Sequence, residues 1–448
     1  MRKNRLAINC SDIIVIGGGP AGLLASIAAA RQGADVLLLE KMGSVGKKLL
    51  ITGKGRCNLT NSGPEQDFFS KYPRNGNFLR SAINSFGNQD LMKFMGKLGI
   101  PLVTERGGRV FPADGKAQAV VEALTADAKA AGVEIRNSEK VQALIWEANP
   151  PRVQGVKSML RKYSARAVVL ATGGASYPLT GSTGDGYDIA AACGHSIQPL
   201  RAALVPIELM ETWIPPLQGL SLRNVRMSAY YGNKKIAEEF GEMLFTHFGL
   251  SGPIVLTISS FLREYWDDAR KIKLELNLKP GLSLAQLEQR IERERLELGK
   301  KEFQTLVAGY VPRALVTILV GLSEIEPKKK VSQITKTEIS RFLHLLQHVP
   351  LTIKKPRPLA EAIVTAGGIS TKEINPKTME SRLCQGLYFA GEIIDVDGVT
   401  GGYNLQAAFS TGYLAGLSAA RYCRDQKNFM GGGEVQFGSE SNERMHEQ

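Results

Sequence analysis

Apolar and polar positions change period twice within the first forty residues. DIIVI at 12–16 is an apolar run of strand length, GGGPAG follows, LLASIAAARQG carries apolar positions at helical spacing, and DVLLLE ends a second apolar run on Glu40. Strand, glycine turn, helix and strand in that order predict a βαβ unit over 12–40. The polar, glycine-rich segment 43–76 is too long for a plain connection and reads as a functional loop. A helical apolar pattern resumes over 78–98 and another runs over 117–131, while VEIRNSEKVQALIWE and AVVLATGG read as strands returning to the same sheet. These elements predict the first part of a dinucleotide-type domain over 1–194. Short runs such as LVPIEL, RMSAYYG and KIKLELNL then predict an inserted β-rich domain over 195–280, followed by a charged helical subdomain over 281–348. The β-rich domain returns over 349–365 and the first domain resumes over 366–424. Residues 425–448, with a GGG and no apolar period, are expected as a flexible tail.

A chain of 448 residues with 43% hydrophobic content is long for one core, which agrees with two or three domains. No run reaches the 18 apolar residues of a membrane span, and the basic N-terminus lacks the apolar stretch of a secretory signal. The five cysteines, Cys10, Cys57, Cys193, Cys384 and Cys423, form no CxxC pair and fit reduced thiols in a cytoplasmic protein. Net charge is +13, carried by 25 basic against 15 acidic residues over 1–194, 24 against 18 over 195–365, and 7 against 10 thereafter. That excess admits a polyanionic partner such as RNA, although the KKK at 328–330 and KKPR at 354–357 read as solvated loop charge.

Chemistry enters with the glycine turn. Gly17 allows the tight turn, Gly19 lets the backbone approach a pyrophosphate, Gly22 lets the helix pack, and Glu40 can accept hydrogen bonds from ribose hydroxyls. Two later apolar runs also end in glycines, ATGG at 171–174 and FAGE at 389–392. A helix of small residues begins after GGYN at 401–404 and either packs in the core or aims its N-terminus at a cofactor. These three clusters together resemble the two-dinucleotide-binding flavoproteins, in which such a helix stabilises negative charge on reduced flavin. The fold class expected is α/β, a Rossmann-like FAD domain with inserted β-barrel-like and small helical domains.

GKKLLITGKGRCNLTN at 46–61, GGRVFP at 107–112, ATGGASYPLTGSTGDGY at 171–187, GEMLFTHFGLSGP at 241–253 and DGVTGGYNLQAAFSTG at 397–412 are more specific. With them, residues 12–420 resemble a family of bacterial FAD-dependent oxidoreductases. Its members are described as aminoacetone oxidases, bile-acid-pathway reductases and ribosomal-RNA dihydrouridine synthases. The resemblance implies FAD contacts at Gly17, Gly19, Gly22, Glu40, Lys41, Arg56, Cys57, Asn58, Val141, Thr172, Gly173, Gly391, Glu392, Gly402, Asn404 and Leu405. It also implies a substrate site between the sheet and the insertion.

Reduction of an electron-poor carbon by reduced flavin needs an acid to protonate the neighbouring atom. Cys57 beside Arg56 is one candidate, as a thiol of lowered pKa, against a small packing residue. His247 in FTHFG is a second, against a structural histidine. Tyr403 is a third, with core packing favoured. The expectation is an enzyme that NAD(P)H reduces transiently and that reduces an activated C=C bond, with uridine in ribosomal RNA the favoured substrate because of the basic excess. Oxidation or reduction of a small metabolite is the alternative, and a flavin-bearing RNA-binding protein without turnover is the third class. The five histidines form no metal motif, and GSTGDG at 181–186 lacks the GK[ST] ending of a P-loop, reading instead as a turn near the ribityl chain or substrate.

Overall fold

The apolar run at the start of the chain forms a strand, Cys10–Ile16, in which Ile13, Ile14 and Val15 are fully buried. A strand buried on both faces needs cover on both, which parallel pairing through helical crossovers supplies. In the computed structural model, which describes residues 10–431, this strand lies inside a seven-stranded mixed sheet. The order is Glu134–Arg136, Val36–Leu39, Cys10–Ile16, Lys162–Leu170, Pro151–Ser158 and Val141–Ala148. Leu387–Phe389 pairs in parallel with the end of Lys162–Leu170. Ile16 lies opposite both Leu39 and Leu170, and Leu170 lies opposite Phe389. The chain therefore leaves the sheet at one edge at Gly17, Glu40, Ala171 and Ala390.

Helix Pro20–Ala30 covers one face and is itself crossed by the C-terminal helix, Tyr403–Gly431. A Cβ on Gly412 would lie 2.3 Å from Ala21 O and one on Gly416 2.1 Å from Ala25 O, so the two helices meet backbone to backbone. The tail expected from residue 425 starts too early, because this helix continues to Gly431. Its last turns are tied down where Lys427 Nζ donates to Asp12 Oδ2 at 2.7 Å, while Arg166 Nη1 donates to Asp12 Oδ1 at 2.6 Å. Residues 432–448 of the expected tail lie outside the described residues. The helical pattern over 78–98 is two helices, Arg80–Ser85 and Asn88–Lys97. The break falls at Phe86, whose carbonyl accepts hydrogen bonds from Gln406 Nε2 and Ser410 Oγ of the C-terminal helix, at 3.1 and 2.6 Å.

An antiparallel connector, Ile197–Ala203 with Val364–Ile369, leads to a closed six-stranded barrel. Its order is Ile207–Leu209, Gly249–Ser251, Lys234–Phe245, Ser221–Tyr231, Ile272–Asn277 and Val349–Pro356, the last pairing with the first. Helices Leu284–Leu298, Phe303–Ala308, Arg313–Ser323 and Lys336–Gln347 lie between the last two strands in sequence. Ser283 and Thr335 cap two of them by accepting from the N–H groups of Gln286 and Glu338. Their buried Leu287, Phe303 and Phe342 join the apolar core of the barrel, so one core serves both. Lys354 and Lys355 are solvated, as expected, but belong to a strand, and Arg357 lies in the connection after it. All three converge on the buried Glu208, at 3.9, 3.7 and 2.7 Å.

Burial pushes the Asp12 carboxyl up, but the Lys427 hydrogen bond, the Asp35 N–H and the charges of Lys427 and Arg166 together hold it below the ordinary range. A carboxyl depressed in the folded state stabilises above its unfolded pKa, and the stabilisation is lost as pH falls through the folded value. Asp12→Asn is therefore expected to lower Tm by about 2–4 °C at pH 7. In thermal melts the difference from wild type should close below about pH 4.

Candidate active site

The aligned strand ends open onto a cleft enclosing about 1840 Å³, part of it open to solvent. Across the sheet, its lining runs from Glu40 and Lys41 through Gly17–Gly19 and Thr172–Gly173 to Gly391–Glu392, and it includes Val141. Thr400–Gly402, Asn404 and Leu405, at the start of the C-terminal helix, continue the wall. Gly17 has φ +102°, and a Cβ there would lie 2.5 Å from Ala171 O, so the turn requires glycine. Gly22 does not line the cleft; its Cβ would lie 1.8 Å from Gly17 O, and its role is to let the helix close on the turn.

Two helix N-termini face this space. In Pro20–Ala30 the first intrahelical bond is Leu23 N–H to Gly19 O at 2.9 Å, and in the C-terminal helix it is Gln406 N–H to Gly402 O at 3.0 Å. The preceding N–H groups are left for a ligand. Glu40 is buried, and its two oxygens accept from Gly18 N–H at 2.6 Å and Met42 N–H at 2.7 Å. Burial nonetheless raises its carboxyl above the ordinary value. A carboxylate has about four lone-pair positions, so two remain for ribose hydroxyls. Lys41 Nζ donates to Asp185 at 2.9 Å and to Thr183 Oγ1 at 2.6 Å. The GSTGDG turn thus borders the cleft beside Glu40 and Lys41.

At the other side Lys48 Nζ donates to Glu392 Oε2 at 2.7 Å and to Ser176 Oγ at 2.8 Å, while Glu392 Oε1 accepts from Thr365 N–H at 2.8 Å. Lys48, Ser176 and Thr365 were not singled out from the sequence. Four distant segments meet there, and no local pattern announces it. With its amide oriented to satisfy both ends, Asn58 Oδ1 accepts from Gly402 N–H at 3.0 Å and Nδ2 donates to Thr60 and Val110 carbonyls. Asn404 is also used internally, accepting from Gly398 N–H at 2.8 Å and donating to Gly398 O at 2.7 Å. Both therefore shape the wall around Gly402.

The three proton-donor candidates are not brought to the cleft. Cys57 is fully buried, and burial pushes its thiol up to about 12, against the lowered value expected. Arg56 does not offset this, because its Nη1 donates to Glu105 Oε1 at 2.7 Å and its guanidinium lies 4.2 Å from the Phe111 ring centre. Arg56 itself does not line the cleft. His247 is exposed on the turn between two barrel strands, edge-on to Phe248. Tyr403 packs its ring against Phe68 and Tyr72 in the core.

The barrel reaches the cleft wall through its helix Pro253–Leu262. Thr257 Oγ1 lies 2.8 Å from Thr400 Oγ1, and Arg263 at the end of that helix forms a buried ion pair with Asp397. Burial raises the Asp397 carboxyl to about 6 in spite of the Arg263 charge.

A family model described as the HI0933-like protein Rossmann domain matches residues 11–418, and the chain belongs to that family of FAD-dependent oxidoreductases. It is similar to a 3-dehydro-bile acid delta(4,6)-reductase of Clostridium scindens, 32% identical over 408 residues that cover 91% of this chain and 98% of the relative. It is also similar to a ribosomal RNA dihydrouridine synthase of Haemophilus influenzae, 31% identical over 414 residues, 92% and 99% of the two chains. The solved 3-ketosteroid delta1-dehydrogenase of Sterolibacterium denitrificans shares the fold, with TM-score 0.51 at 13% identity over 92% of this chain and 100% of that one.

The residues present fit FAD. The cleft carries free N–H groups at two helix starts and an acid beside the first, and Thr172 Oγ1 is buried in its wall without a hydrogen-bond partner. Among the described residues no group of acidic, histidine and cysteine side chains could hold a metal, and no helix is long and apolar enough to cross a membrane.

Thiol titration checks the burial of Cys57. In the native protein Cys10 is expected to react quickly with Ellman's reagent, and Cys57, Cys193, Cys384 and Cys423 only after unfolding. Cys57→Ala should keep at least about half of wild-type activity.

Proposed function

We propose that the protein uses NAD(P)H to reduce its FAD and then reduces a C=C bond conjugated to a carbonyl, with uridine in ribosomal RNA the favoured substrate. FAD supplies the two-electron chemistry when bound, and the residues that line the cleft would hold it. The two relatives act on different molecules, but both names describe the reduction of an unsaturated ring, and both alignments span nearly the whole chain. Uracil, like an enone, is electron-poor at the carbon remote from its carbonyl.

The observation that favours RNA is a set of cations on and around the 47–56 segment, part of which lines the cleft. Lys54, Arg106 and Lys116 are exposed, Lys47 is half-buried, and among the described residues none of the four makes an ion pair within 4 Å. Lys47 and Lys54 lie on that segment, Lys116 at the start of the helix packed against it, and Arg106 on the hairpin that Arg56 of the segment joins through Glu105 and Phe111. Unpaired cations there suit a phosphate backbone whose base enters the cleft. A second reading, a small apolar enone, is favoured by Leu49, Leu204, Ile363 and Val364 in the same lining.

Deleting the gene is expected to abolish dihydrouridine at one ribosomal RNA position, measured by nucleoside mass spectrometry with primer extension. An unchanged modification profile excludes the RNA substrate. Anaerobic NADH or NADPH is expected to bleach the bound flavin, and failure of both overturns the nicotinamide step.

A further inference from the structure

We propose that the Thr400–Thr257 hydroxyl pair receives the carbonyl oxygen of the substrate, with Thr400 donating the hydrogen bond and Thr257 fixing its direction. This rests on the conjugated C=C reductase proposed above.

Thr400 lines the cleft two residues before Gly402. Its Oγ1 lies 2.8 Å from Thr257 Oγ1, and among the described residues neither hydroxyl has another hydrogen-bond partner. Two hydroxyls carry two protons and share one hydrogen bond, so one O–H is left over. A threonine inside a helix ordinarily donates to the carbonyl four residues back, as Thr411 does to Ala407 O at 2.6 Å. Thr257 makes no such bond. Its proton is available to Thr400, and in that arrangement the spare O–H belongs to the hydroxyl that lines the cleft.

The loop carrying Thr400 is fixed from three directions. Asn404 holds Gly398 on both its N–H and its carbonyl, Val399 N–H donates to Lys71 O at 2.9 Å, and the buried Arg263–Asp397 pair ties the preceding turn to the barrel helix. A donor on a preset loop meets developing charge with little reorganisation. As the carbon remote from the carbonyl receives a hydride equivalent from the reduced cofactor, the π electrons shift onto the carbonyl oxygen, where the Thr400 O–H stabilises them. A proton from water completes the C–H bond on the neighbouring carbon, and Thr400 keeps its own proton. Because Thr257 comes from the barrel, the subsite exists only while barrel and sheet are docked.

The test uses light-reduced holoenzyme and 2-cyclohexen-1-one, with ferricyanide as an oxidant that needs no carbonyl subsite. Cyclohexanone, which has the carbonyl but no C=C bond, is titrated against the oxidised flavin spectrum. Thr400→Val is expected to slow reoxidation by cyclohexenone roughly 10²-fold and to weaken cyclohexanone binding roughly 10-fold. Its reoxidation by ferricyanide should match wild type. Thr400→Ser should stay close to wild type. Thr257→Val should lose roughly 5- to 10-fold on cyclohexenone alone, with Thr257→Ser restoring the rate. If cyclohexenone reoxidises wild type and Thr400→Val equally fast, the subsite is refuted and the reductase stands. If ferricyanide reoxidises wild type and cyclohexenone does not, reduction of a small enone is refuted, and cyclohexanone binding that is equal in wild type and Thr400→Val then refutes the subsite.

Discussion

The site depends on the register of the parallel strands within one mixed sheet. Ile16 pairs with Leu39 on one side and Leu170 on the other, and Leu170 pairs with Phe389, so four segments widely separated in sequence leave the sheet at the same level. A parallel strand displaced by one residue would turn its side chains to the opposite face and withdraw its loop from that edge. A one-residue slip would exchange the two close-packed faces of these apolar runs and the side-chain volumes fitted to each. Gly17, Glu40, Thr172 and Gly391 line one cleft because the strands that carry them end at one level.

Close backbone approach then sets the shape of the cleft. The helix after the glycine turn sits against the turn through Gly22 and against the C-terminal helix through Gly412 and Gly416, where any side chain would collide with a carbonyl. That contact brings the two helix N-termini to one cleft. The side chains nearest Gly402 are spent on structure: Asn58 holds its N–H, and Asn404 holds the loop before it. What remains free to meet a ligand is mostly backbone N–H, which suits a cofactor bound by phosphate and ring edges.

The inserted barrel meets the cleft wall through polar contacts, and through Leu256 packed against Leu204 and Val364. Its helix Pro253–Leu262 presents Thr257 to Thr400 and leads into Arg263, whose partner Asp397 is buried and elevated toward 6. A buried ion pair carries a large desolvation cost and adds little net stability, whereas breaking it leaves an unpaired charge. Here it ties the turn before Thr400 to the end of the barrel helix.

Read alone, the sequence determined the elements whose period is strong and whose ligands are backbone groups. The opening βαβ unit, the glycine turns at 17–22, 171–174 and 389–392, the β-rich insertion and its helices were legible because each is decided within a few residues by spacing and turn chemistry. It did not determine which side chains face the cleft. Cys57 beside Arg56 read as an activated thiol, but the tertiary packing buries the sulfur and sends the guanidinium to Glu105 and Phe111. His247 read as a catalytic candidate, yet it sits exposed on a barrel turn. Residues after 425 read as tail because nothing local shows that Lys427 will meet Asp12. Lys48 with Glu392 and Thr257 with Thr400 were invisible for the same reason. Each pair joins residues far apart in the chain, and only the packed fold brings them within hydrogen-bonding distance.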